Sequence, residues 1–197
     1  SKSPIRTMPI NLLNYIIFIF SKKYKIEIIL DDSLISQFIF DKIDKKKCIN
    51  IIYPKDLKTL FLIIDKTDFG IFMDSGPLHF AKINNIKGIL ILSSVSKDIL
   101  LDGFESIISI IGNYKSQYCN GPCGLTNAFF YNNKSGCFDS LNIKKNTVME
   151  YNNLKELQRG SLKQNYNDLL TTNVNCLKYI NKIKVVKLIR DNIEMQV

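Results

Sequence analysis

Histidine occurs once in these 197 residues, at His79. Long apolar runs are missing too. The longest, YIIFIF from Tyr15 to Phe20, falls far short of the roughly 18 residues that a membrane span needs. The opening SKSPIRTMP lacks the basic, apolar and small-residue order of a signal peptide. It also lacks an initiator Met, so a processed or excised piece of a longer protein is expected. The five cysteines are odd in number and form no compact secreted framework, which makes a reducing cytoplasm the expected location. No basic stripe interleaves with aromatics, so a nucleic-acid partner is not expected. Internal repeats and low-complexity tracts are absent.

What is present suits a folded domain with an appendage. Apolar residues make up 46% of the chain, enough for a core. A net charge of +9 favours anionic partners such as a nucleotide, a phosphorylated glycan or a lipid surface. That charge is diluted by a general abundance of Lys, Ile and Asn, and DKKK at 44–47 is the densest basic run.

Short apolar runs alternate with helical patterns. Helices are expected at 10–21, 33–43, 56–66 and 77–84. Strands are expected at 25–30, 48–53, 69–73, 88–92 and 106–111. Such alternation predicts an α/β fold, a Rossmann-like parallel sheet covered by helices on both faces, over residues 1–112. A Gly-, Cys- and aromatic-rich loop follows at 113–144, and a helical C-terminal extension at 145–197. The loop is expected to be ordered, free of metal and packed on the first unit. A zinc module is the competing reading of Cys119, Cys123 and Cys137. It leaves a tetrahedral site one ligand short unless Cys176 folds back. Asp31, Asp32, Asp41 and Asp44 read as a helix cap and a solvated face, so no metal site is expected.

The chemistry concentrates in FMDSGPLHF. Ligands of open α/β sheets bind at the carboxyl ends of the strands. Asp74 stands at the end of one, and Ser75-Gly76-Pro77 turn into a helix. Amides from Gly76 to His79 then face an anion at the positive end of that helix. Glycine permits close approach there, and proline costs no hydrogen bond at a helix start. A diphosphate fits, with Asp74 accepting from sugar hydroxyls and His79 donating to an oxygen. The competing reading is a capped helix with a half-buried histidine.

The stretch FGIFMDSGPLHFA, Phe69 to Ala81, resembles the D-[ST]-G-x-x-H-[LF]-A signature of glycosyltransferase family nine, the ADP-heptose:lipopolysaccharide heptosyltransferases. Ser1, Ser3, Arg6 and Pro9 in SKSPIRTMP match that family's hydroxyl, basic and helix-starting positions. YPKDL, Tyr53 to Leu57, occupies the place of its short loop. The likeness covers about residues 1–112. It departs in NNIKGILILSS, where Lys87 and Ser93 stand near positions that the family gives to Pro and Gly.

The resemblance implies the C-terminal, donor-binding half of a GT-B glycosyltransferase. Such a half takes part in inverting transfer of a heptose-like sugar from a nucleoside-diphosphate sugar, ADP-linked by preference, to a lipopolysaccharide-type or other glycan or glycolipid acceptor. The base belongs to the other half, so no catalytic residue is assigned here, and no cofactor is implied. Arg6 would neutralise the diphosphate, helped by Ser1 or Ser3. Lys55 and Asp56 would lie near the nucleoside, Asp74 would hold the sugar, and Ser75, Gly76, Pro77, Leu78 and His79 would stabilise the departing diphosphate. A cytoplasmic enzyme follows, with peripheral contact at the inner face of an anionic membrane. The alternative is a non-catalytic Rossmann-like binding or interaction module.

Overall fold

The computed structural model describes residues 6–45, 49–115, 121–124 and 174–194. Helix α1 (Ile10–Phe20) follows Pro9 and leads to strand β1 (Ile26–Ile29). Then come α2 (Leu34–Lys42), β2 (Ile49–Ile52), α3 (Leu57–Asp65) and β3 (Gly70–Phe72). They are followed by α4 (Gly76–Ile83), β4 (Gly88–Leu92), α5 (Lys97–Leu100) and β5 (Ile107–Ile111). Beyond the loop lie α6 (Asn175–Lys178) and α7 (Lys182–Glu194).

Every strand pairing among the described residues is parallel. The expected single sheet is hydrogen-bonded as two pieces, β1-β2 and β3-β4-β5. Side chains carry both layers of the core past that break. Ile26 packs with the α1 and α7 layer, while Ile29 packs with the α3 and α4 layer. Alternation along β1 therefore matches that of β3 and β4, as period-two side chains require.

β4 reads GILIL and is buried along its whole length. Its odd residues, Ile89 and Ile91, meet Leu12 and Ile16 of α1 and Val185 and Ile189 of α7. Its even residues, Leu90 and Leu92, meet Ile64 of α3 and Leu78 and Ala81 of α4. A strand covered on both faces needs such a continuous apolar run. Gly70 and Gly88 are register partners at the start of β3 and β4. A Cβ on Gly88 would stand 2.4 Å from the Gly70 carbonyl oxygen, so the backbones meet there because neither residue has a side chain.

The C-terminal helices belong to this core rather than to a separate extension. Val174, Leu177, Ile180, Val185, Val186 and Ile189 are all buried in the cluster that holds α1 and β4. Gly112, just past β5, lies so close to α6 that a Cβ would meet the Cys176 carbonyl oxygen at 2.2 Å. At the far end of α7, Lys23 pairs with Glu194 at 3.8 Å. Lys23 follows α1 and precedes β1, so α7 runs antiparallel to the strands, from their carboxyl ends to their amino ends.

Candidate functional site

Two of the buried polar atoms without a partner among the described residues, Arg6 Nε and Ser94 Oγ, belong to residues at the carboxyl ends of β3 and β4. Asp74 leaves β3 after the buried pair Phe72 and Met73. Ser75 is the N-cap of α4, in extended conformation, yet its side chain makes no capping bond. Its hydroxyl instead donates backward to the Met73 carbonyl at 3.1 Å. Ser33 and Asp56, by contrast, cap α2 and α3 by accepting from the amides of Ser36 and Thr59. The start of α4 is left open, as the first amides of a helix are when no cap reaches them.

Gly76 sharpens this. Its backbone is not left-handed, and a Cβ added there meets nothing within 4 Å. Neither conformation nor packing among the described residues asks for glycine. What the missing side chain provides is room in front of the open amides.

Arg6 reaches this turn from the other side of the sequence. It precedes α1, which runs back along the sheet, and its Nη1 donates to Asp74 Oδ2 at 3.0 Å. The Arg6 side chain is 27% exposed and that of Asp74 13%. The contact uses one nitrogen rather than the paired fork that guanidinium and carboxylate favour. Arg6 Nε is buried and has no acceptor among the described residues. An unsatisfied buried donor is costly and uncommon. The Arg6 guanidinium is held on Asp74, the residue just before the uncapped start of α4.

The next strand adds Ser93 and Ser94, both buried directly after β4. The Ser94 hydroxyl finds no partner among the described residues. Its carbonyl accepts from the Gly124 amide at 2.6 Å, which draws the 121–124 segment over the end of β4. Sequence reasoning assigned these serines no role, although two hydroxyl residues straight after a fully apolar strand were the available signal.

The sequence-predicted residues fare differently. Arg6 and Asp74 are in direct contact, and Ser75, Gly76 and Pro77 follow within one turn. His79 is exposed on α4. Leu78 has a fully buried side chain, and its amide bonds to the Ser75 carbonyl at 3.1 Å. Lys55 and Asp56 are exposed after β2. Asp56 is already engaged: its carboxylate caps α3 by accepting from the Thr59 amide at 2.7 Å, a bond that holds the carboxyl below its usual range. After β1, burial pushes the Asp31 carboxyl up, but hydrogen bonds from the Ser33 and Ser36 hydroxyls outweigh it and hold the group low. Ser1, Ser3, Cys119 and Cys137 lie outside the described residues. Cys123 is an exposed free thiol.

No cluster of three or more metal-ligating side chains occurs among the described residues. A separate cavity of about 700 Å³, lined by Lys97, Phe104, Glu105 and Ser106 among others, lies at the amino end of β5, away from Asp74. None of the described helices is long and apolar enough to cross a membrane. Comparison with protein families, curated proteins and solved structures finds no match to this chain.

Proposed function

We propose that this chain binds a nucleoside-diphosphate sugar at the carboxyl ends of β3 and β4, as the donor-binding half of an inverting glycosyltransferase. The observation that carries the reading is Arg6: anchored through one nitrogen to Asp74, just before the open start of α4, with its Nε buried and unsatisfied. A diphosphate would accept from that nitrogen and from the free amides of the turn. Arg suits this task because its planar donors are always charged. Asp74 then has two roles. One oxygen aims the guanidinium, and the other is left to accept from sugar hydroxyls. His79, exposed on the first turn, would donate to a phosphate or sugar oxygen.

In the reaction, this half would stabilise the departing nucleoside diphosphate as its bond to the anomeric carbon breaks. Donors aimed at developing charge are commonly worth about 3 kcal/mol each. The acceptor hydroxyl would lose its proton to a base outside this set, so the chain by itself is expected to bind donor without transferring sugar. The motif likeness of Phe69 to Ala81 points to the same class and favours an ADP-linked heptose-like sugar.

Calorimetry with a panel of nucleotide sugars tests the reading. Asp74→Ala and His79→Ala are expected to weaken sugar-nucleotide binding about tenfold or more, as loss of a charge-assisted bond does. Equal affinity in wild type and both variants would place any nucleotide elsewhere on the molecule.

A further inference from the structure

The outer face of α7 and the turn before it form a second feature that the donor site does not use. From Val174 to Arg190 the chain carries Lys178, Lys182, Lys184, Lys187 and Arg190 and no acidic residue. These cations are scattered in sequence, but the fold gathers them. Burial of Val185, Val186 and Ile189 turns Lys184, Lys187 and Arg190 outward. None of the five forms an ion pair with another described residue. Two large apolar groups stand exposed among them: Ile183 is 74% exposed and Tyr179 54%. Tyr179 is braced by stacking on Tyr114, ring centres 5.4 Å apart. Cations around exposed apolar anchors are the composition of a surface that rests on anionic lipid.

The position of this face matters as much as its chemistry. α6 abuts Gly112 at the carboxyl end of β5, and the far end of α7 reaches Lys23 near the start of β1. The first turn of α7, with Tyr179 and Ile183, therefore lies on the same rim of the sheet as Asp74 and Ser94. Acidic residues Asp191 and Glu194 are confined to the opposite end, where Glu194 meets Lys23.

We propose that Lys178, Tyr179, Lys182, Ile183, Lys184 and Lys187 form a docking face for an anionic phospholipid bilayer, which brings the carboxyl rim of the sheet to the membrane surface. The proposal deepens the donor-site reading by placing the acceptor at a membrane. Vesicle binding is scored without nucleotide, so the two fail separately. The lysines supply attraction and the side chains of Tyr179 and Ile183 enter the headgroup boundary.

Sedimentation with phosphatidylcholine vesicles, with and without phosphatidylglycerol, tests it. Binding is expected only to the phosphatidylglycerol-containing vesicles and should fall as salt is raised. Removing a juxtamembrane lysine lowers partitioning by about fivefold. The double variant Lys184→Gln/Lys187→Gln is therefore expected to bind roughly 20-fold less, and Ile183→Asn severalfold less. Both should keep the wild-type affinity for adenosine 5′-diphosphate. No vesicle binding, equal binding to phosphatidylcholine alone, or full binding by the double variant would overturn the proposal. So would a single-stranded oligonucleotide that binds this face, is lost in the same variants, and binds where anionic vesicles do not.

Discussion

Gly76 is where function separates from folding at the level of single residues. Alanine at a first helical position fits the backbone, and nothing among the described residues meets the added methyl group. Gly76→Ala is expected to leave thermal stability unchanged within about 0.5 kcal/mol or raise it slightly. It should weaken nucleotide binding, because the methyl group fills the space before the open amides. Unfolding and binding measured on the same sample check this, and a stable variant with unchanged affinity would count against an anion at this turn. Asp31 makes a prediction about pH. Hydrogen bonds from Ser33 and Ser36 depress its folded-state pKa. Its contribution is therefore complete above the ordinary carboxylate range and is lost as pH falls from that range down through the lowered folded-state pKa. Urea unfolding followed across acidic pH should show a shallower loss of stability in Asp31→Asn than in wild type. The Arg6–Asp74 contact was not legible at this scale. The two residues stand 68 positions apart, and only the return of α1 along the sheet brings them together.

Among elements, the apolar runs were the readable part. KIEIIL, CINIIY, FGIFM, GILIL and SIISII each hold a strand; GILIL, buried on both faces, is apolar without interruption, whereas β1 and β2 expose Glu27 and Asn50. α5, four residues from Lys97 to Leu100, escaped notice because so short a helix has no periodicity to display. The break between β2-β1 and β3-β4-β5 escaped too, since pairing depends on where strands lie and not on their composition. Leu78 stands inside D-S-G-P-L-H and points into the core. The glycine pair at the start of β3 and β4 gives the test at this scale. Gly88→Ala would push a methyl group against the Gly70 carbonyl and the Phe72 ring. A loss of about 1–3 kcal/mol is expected from overpacking, read as a lower unfolding midpoint. Wild-type stability would mean that the two strands approach less closely than described.

For the whole molecule, the main surprise is the reach of the C-terminal helices. Their charged pattern suggested an extension, because the polar positions outnumber the apolar ones and the apolar ones are spaced three and four apart. Those few positions close the α1 face of the sheet. Fully burying a Val, Leu or Ile is worth about 1.5–3 kcal/mol. The six from Val174 to Ile189 thus approach the entire stability of an ordinary domain, about 5–15 kcal/mol. Deleting residues 174–197 is expected to abolish cooperative unfolding, which circular dichroism on heating will show. A truncated chain that melts as sharply as wild type would detach these helices from the core.

The central claim is that Arg6 and the open start of α4 together hold a nucleoside diphosphate. Titrating adenosine 5′-diphosphate into wild-type protein and into Arg6→Ala, with circular dichroism confirming that both are folded, tests it most directly. A saturable heat in wild type is predicted, with affinity reduced about 10- to 100-fold in Arg6→Ala, the span expected for one charge-assisted hydrogen bond. No binding by wild type, or equal affinity in the folded variant, would contradict it.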